Sequence, residues 1–359
     1  MASLMLSAVV VAATASEPSP ARFVIAGYAP DYRLESLDLS ALAHNLTDVL
    51  LFSIAPTPQG AIDPGGITQI HHMRAARAKK AAPHLRALVS MGGGGRSAAF
   101  PHAVGSTRRR EALAKALVKY CKRGKLDGAD IDYEAALGPT ELRNLVAFLK
   151  LVRQAFDAAS PPLQLTMAVH PQHADALAPA YAHVHRVHLM AYDLPGAQGH
   201  AATAPVRAAV DGMLAAGCPR AKLVLGLPFY GRSLEQPGRV ATYDELLRLR
   251  AARQAAGERE AGGERVGEFA YDSPRGAARK VELAAALGLA GVMVWEVGQD
   301  ARPAHARGGL LLGALAEAAA SSSVGWEPGR EHALRLAAVT GRERTAHGTA
   351  AAGERDELR

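Results

Sequence analysis

The chain has 359 residues, 49% hydrophobic and 21% charged, a globular composition long enough for one large domain. Its net charge of +7 sits in short scattered runs such as Arg108-Arg109-Arg110 and Lys79-Lys80, with no aromatic residues between them. That pattern describes solvated faces and excludes a single-strand nucleic-acid groove. Two cysteines, Cys121 and Cys218, exclude a disulfide framework and a zinc cluster.

The chain opens with an apolar run from Leu4 to Ala13, closed by the small-residue triplet Ala13-Thr14-Ala15. Residues 1–15 therefore read as a secretory signal peptide, although no positive residue precedes the apolar run. The run is too short for a membrane span. Secretion, or residence in the lumen of the secretory pathway or a lysosome-like compartment, follows as the expected location. Asn45-Leu46-Thr47 is a glycosylation sequon, usable only on that route.

Eight extended stretches then follow in order: 22–28, 48–54, 85–93, 127–134, 163–170, 186–192, 222–231 and 288–296. Amphipathic helical patterns lie between most of them, as in 109–124 and 139–159. In the second, Pro139 stands early, Thr140 is a candidate cap and Glu141 falls in the first turn. Strands alternating with helices imply parallel pairing through right-handed crossovers. Eight such units predict an α/β fold, a single (β/α)8 TIM barrel over residues 22–320. The run Ser90–Gly95 (SMGGGG) lacks the Lys and Ser/Thr that would make it a phosphate loop. Residues 321–359 carry little periodicity and read as a mobile tail. Their Arg355-Asp356-Glu357-Leu358 sequence resembles a retrieval signal, but Arg359 follows it, and such signals are read at the free C-terminus.

The fourth stretch crowds four carboxylates into a few positions: Asp127, Asp130, Asp132 and Glu134. Side chains in a strand alternate faces, so Asp130, Asp132 and Glu134 share one face with Gly128. Asp127 falls on the other and reads as a structural hydrogen-bonder. In a parallel barrel, chemistry collects at the C-terminal strand ends, which puts Glu134 outermost and Asp130 deepest. Neighbouring carboxylates in a poorly solvated place push at least one pKa upward, as a general acid requires. A solvated acidic turn and a divalent-cation site are the rival readings. Gly128 and the alternation argue against the first. The second lacks both a dense oxygen-ligand loop and a histidine pair at zinc spacing, so no metal and no cofactor is expected.

Asp127-Gly128-Ala129-Asp130-Ile131-Asp132-Tyr133-Glu134 resembles the D-G-x-D-x-D-x-E signature of glycoside hydrolase family 18, the chitinases and their relatives. Four further stretches resemble the family in order and spacing: Ser90-Met91-Gly92-Gly93, Met190-Ala191-Tyr192-Asp193, the GLPFYGR run at 226–232, and Trp295. The likeness covers roughly residues 22 to 315. It implies retaining hydrolysis in which the substrate's own 2-acetamido oxygen is the nucleophile. On that likeness Glu134 is the acid and base, Asp132 orients the acetamido group, and Asp130 shares a proton beneath it. Tyr192 would bind the acetamido carbonyl, Asp193 sugar hydroxyls, and Trp295 would stack under the sugar ring. Tyr28 and Ser90 would support the inner aspartate, and Met190 would pack beside the site. Tyr230 and Arg232 read equally as structural rim residues, and His170 and His173 as satisfied loop histidines rather than sugar contacts.

Larger chitinases of the family insert a separate α+β domain between strands seven and eight. Here the interval from about 232 to 287 reads as helical, leaving no room for an added sheet, so the barrel is expected without that domain. Aromatic residues make up only 5% of the chain, which points to a short, open groove. The expected partner is an N-acetylglucosamine-containing oligo- or polysaccharide, bound by a monomer, with β-1,4-linked chitin or chito-oligosaccharides as substrate. The alternatives are an endo-β-N-acetylglucosaminidase acting on N-glycans or peptidoglycan, and a chitin-binding lectin. Glu134, which such lectins lose, is present.

Overall fold

The computed structural model describes residues 22–195, 199–236, 238–258, 263–302, 305 and 309–322. The leader over 1–15, the tail beyond Ser322 and its RDEL sequence lie outside the described residues. Eight parallel strands form the barrel: β1 (Val24–Pro30), β2 (Asp48–Pro56), β3 (Arg86–Gly92), β4 (Gly128–Asp132), β5 (Gln164–Val169), β6 (Arg186–Leu189), β7 (Leu223–Pro228) and β8 (Gly291–Trp295). Each pairs with the next, and β1 also pairs with β8 and closes the ring. All eight coincide with the stretches expected from the sequence.

The period of two sorts the side chains into an inner and an outer core. Val24, Ala26 and Tyr28 of β1, with Leu50 and Phe52 of β2, fill the barrel interior beside Leu88, Val224 and Met293. The intervening Ile25, Ala29, Val49 and Leu51 face outward and pack under the helices. Strands buried on both faces read as near-continuous apolar runs, which is why their ends were legible to within a few residues.

The covering helices include α1 (Gln69–Ala81), α2 (Thr107–Gly124), α3 (Pro139–Asp157), α4 (Thr203–Ala215), α5 (Tyr243–Ala255), α6 (Pro274–Ala286) and α7 (Leu311–Ser321). Ser106 caps α2 by accepting from the Arg109 N–H, and Thr242 with Glu245 forms a capping box on α5. In α3 the cap is Gly138 rather than Thr140, because Pro139 takes the first helical position, where its missing N–H costs nothing. Between β5 and β6 the chain makes two short 3₁₀ turns, Pro171–His173 and Ala178–His183.

The interval between β7 and β8 departs from the helical expectation. Four short strands, Tyr230–Ser233, Val240–Thr242, Arg265–Val266 and Phe269–Ala270, form a small antiparallel sheet beside α5. They are two to four residues long and pair across sequence gaps, so no alternating run announced them. This sheet forms a flange on the barrel rim, and no separate insertion domain is present among the described residues. Among those residues no helix is long and apolar enough to cross a membrane.

Candidate active site

The acid row occupies β4 and the residues just past its end. Asp130 is fully buried, and its register partners are Ser90 on β3 and Thr166 on β5. Those neighbours face inward at the same level. Ser90 Oγ donates to Asp130 Oδ2 at 2.9 Å, and Thr166 Oγ1 donates to Oδ1 at 2.6 Å. Tyr28 Oη, reaching in from β1, donates to Oδ2 at 3.0 Å. His188 of β6 completes the layer with Nδ1 2.9 Å from Tyr28 Oη. Burial holds the His188 imidazole below its ordinary pKa, so it is neutral, and burial together with Asp130 raises Tyr28. Asp130 is thus surrounded by neutral donors and faces no full counter-charge.

Asp132 stands two residues further out and is 4% exposed. Its Oδ1 is buried without a hydrogen-bond partner. Burial first, then Glu134, then Asp130, raise its pKa well above the usual carboxyl range. This is the raised acid that the crowding of the row implied. Gly92 and Gly93 let the β3 loop close over it. Both have positive φ, and a Cβ on Gly92 would meet the Asp132 carbonyl oxygen at 2.1 Å.

Glu134 lies past the strand end with a partly exposed side chain, and Ser97 fixes its backbone by accepting from the Glu134 N–H at 3.0 Å. Its carboxylate opens into a cleft of about 320 Å³, together with Asp132, Met190, Tyr192 and Asp193. Tyr192, pushed up by burial and then by Tyr230 and Asp132, remains a phenol donor. The aromatic lining comes from Tyr28, Tyr32, Phe52, Tyr192, Tyr230 and Trp295. The chain holds only two tryptophans, nine tyrosines and seven phenylalanines, so its scarce aromatics are concentrated here.

Trp295 ends β8 at the floor of the cleft, edge-on to Phe52 with ring centroids 4.7 Å apart. The Trp295–Glu296 and Phe52–Ser53 peptide bonds are cis. Glu296 is fully buried and anchored by Arg33 Nε at 2.9 Å and the Gly298 N–H at 2.7 Å.

Asp193, after β6, adopts a left-handed conformation with φ of 57°. Its Oδ1 accepts from Tyr230 Oη and Arg232 Nε, both at 2.7 Å, and lies 3.1 Å from His200 Nδ1. Arg232 Nη2 reaches Oδ2 at 2.6 Å. Burial would raise this carboxyl, but hydrogen bonds from His200, Arg232 and Tyr230 outweigh it and hold Asp193 well below the usual range. Tyr230 and Arg232 thus bind an acid of the cleft wall, and the small sheet carries both of them.

Asp127 points away from the row. It accepts from Lys79 Nζ at 2.6 Å and from the Ala87 N–H at 2.7 Å, tying α1 and β3 together. Cys121 and Cys218 are buried free thiols, each pushed up to about 12 by burial. No group of three His, Cys, Asp or Glu side chains among the described residues could hold a metal ion. His170 lines the cleft, with Nε2 3.5 Å from Glu134 Oε2. Thr166, His188, Ser97, Phe52 and His200 were not singled out from the sequence. Thr166 and His188 were findable, because each is a polar residue at an inward position of an otherwise apolar strand.

The inner face of the barrel thus steps from a partly exposed glutamate to two buried aspartates. Residues 24–300 match the model of glycosyl hydrolases family 18, and the chain belongs to that family. It is 27% identical over 282 residues to probable chitinase 2 of Drosophila melanogaster, covering 62% of this chain and 57% of the relative. With chitinase 1 of Aphanocladium album it shares 30% over 186 residues, 44% of each protein. The chain therefore spans about half the length of these curated relatives. Among solved structures, a chitinase from Bacteroides thetaiotaomicron superposes with a TM-score of 0.71 at 22% identity, over 84% of this chain and 97% of the other. The Ostrinia furnacalis Group IV chitinase in complex with allosamidin gives 0.72 at 21%, over 84% and 100%. These likenesses establish the fold.

Proposed function

We propose that this protein is a chitinase-type glycosidase that cleaves β-1,4-linked N-acetylglucosamine chains with retention, using the substrate's acetamido group as nucleophile. The observation that carries the proposal is the graded row itself. Glu134 lies at the solvent edge, and Asp132 beside it has a raised pKa and an unpartnered oxygen. Glu134 gives its proton to the glycosidic oxygen as that bond breaks. The acetamido carbonyl oxygen attacks the anomeric carbon and forms an oxazolinium ring. Asp132 accepts from the acetamido N–H and offsets the positive charge, while Tyr192 donates to the acetamido oxygen. The Glu134 carboxylate then takes a proton from water, which attacks the anomeric carbon and reopens the ring. Asp130, held by three hydroxyls, lies beneath Asp132 and takes a share of its proton. Asp193 offers its remaining oxygen valence to a sugar hydroxyl, and Trp295 supplies the stacking floor.

The names of the matched relatives favour chitin over other N-acetylglucosamine polymers. Secretion, for which the apolar N-terminal run speaks, and action as a monomer belong to the same proposal. The test is Glu134→Gln, assayed on chito-oligosaccharides, N-glycans and peptidoglycan beside the unsubstituted protein. The expected result is chito-oligosaccharide turnover reduced by about 10²–10⁴-fold with binding retained. Turnover within about tenfold, or unsubstituted protein that cleaves only N-glycans or peptidoglycan, would contradict the proposal.

A further inference from the structure

His170 follows β5 and opens the 3₁₀ turn Pro171–His173. Its side chain is 39% exposed, lines the cleft, and brings Nε2 to 3.5 Å from Glu134 Oε2. The sequence suggested an ordinary loop histidine, yet its nearest acidic partner is the carboxyl at the centre of the chemistry. The other titratable groups that interact with Glu134 include Asp132, at the end of β4, and Tyr192, just past β6. Neither supplies positive charge. His170 is itself faced by Glu134 and by His173, whose ring centroid is 6.4 Å away. Burial, then the proximity of His170, lower the pKa of His173, which keeps that ring neutral. Among the described residues, His170 is the side chain beside Glu134 that can carry a positive charge.

We propose that His170 is a positioning residue whose imidazolium pairs with the Glu134 carboxylate left when the acid has given up its proton. The inference rests on the assignment of Glu134 as the acid. In the transfer step the Glu134 O–H bond breaks and the leaving-group O–H bond forms, while His170 keeps its own proton throughout. An opposite charge within about 4–6 Å favours the ionised form of a carboxyl group. On that pairing, activity is expected to fall at a lower pH than it would without the histidine. Histidine changes charge between about pH 5 and 8, which sets the window to scan.

Two variants test this through the pH profile of kcat/KM on a soluble chito-oligosaccharide. His170→Asn removes the charge and keeps a polar side chain, and should move the basic limb upward by about one pH unit. His170→Arg makes the charge permanent and should leave that limb at or below its original position. Limbs that stay together in all three proteins, or that move the same way in both variants, would overturn the proposal. Glu134→Gln is measured alongside. If that variant is active, the acid assignment itself has failed. If it is inactive while the limbs coincide, only the role of His170 has failed.

Discussion

The two ends of the barrel handle buried carboxylates in opposite ways. At the N-terminal end, Asp48 opens β2 and is 2% exposed. Arg86 Nε stands 2.7 Å from its Oδ1, Arg186 Nη1 3.3 Å from its Oδ2, and Thr47 Oγ1 donates to Oδ2 at 2.7 Å. Burial would raise Asp48, but the two guanidinium groups and the hydroxyl outweigh it, and its pKa is lowered. At the C-terminal end Asp132 is equally buried and lacks any such cation, so its pKa is raised. Same residue type, same barrel, opposite sign. Pairing, rather than depth, decides the charge state, and the unpaired end is the one that lines the cleft.

That contrast can be broken from either side. The largest expected effect is at the paired end. Asp48→Ala leaves Arg86 and Arg186 facing each other in the barrel floor, and should cost about 3–5 kcal/mol in urea unfolding. Activity of the folded fraction should stay within about twofold, because the plug lies at the end opposite the cleft. A stability loss below about 1 kcal/mol would show that the plug is not a stabilising unit.

Asp132→Asn sharpens the comparison by moving stability the other way. A carboxyl whose pKa is raised in the fold adds most to stability below its unfolded value, and that contribution is lost as pH rises through the folded value. Removing the carboxyl should therefore raise Tm at pH 7.5, on the order of 2 °C for a domain of this size. The gain should shrink at pH 4, while turnover is lost. An equal or larger gain at pH 4 would contradict the assignment of a costly buried charge.

The smallest effect belongs to Asp127, half-exposed and paired with Lys79 on the outer face of the barrel. Asp127→Asn should cost about 1 kcal/mol or less, with kcat/KM unchanged. A marked loss of activity would mean that the outer acid reaches the chemistry after all.

Much of this contrast was legible in the sequence, and the rest was hidden for identifiable reasons. The eight strands could be read because each is a short apolar run buried on both faces, bounded by helical periodicity. The acid row could be read because alternation alone puts Asp130 and Asp132 on one face. The plug could not, since Asp48, Arg86 and Arg186 stand 38 and 100 residues apart and meet only when the barrel closes. Thr166 and His188 stood out as polar residues at inward positions, but their partners, on other strands, did not. The 5% of aromatic residues pointed to a short, open groove, but an average says nothing of where the rings gather, and six of them line the cleft. The flange that carries Tyr230 and Arg232 was missed because its strands are too short to show a period.

Carboxylates without a counter-charge at the barrel mouth suit the proposed reaction, in which the substrate supplies its own nucleophile. The most direct measurement is proton NMR of the first product released from chitotetraose, read before mutarotation. The same run includes an analogue lacking the N-acetyl group on the sugar at the cleavage site. A β-configured product from the natural substrate and no turnover of the analogue are expected. An α-configured first product, or cleavage of the analogue at a comparable rate, would contradict it.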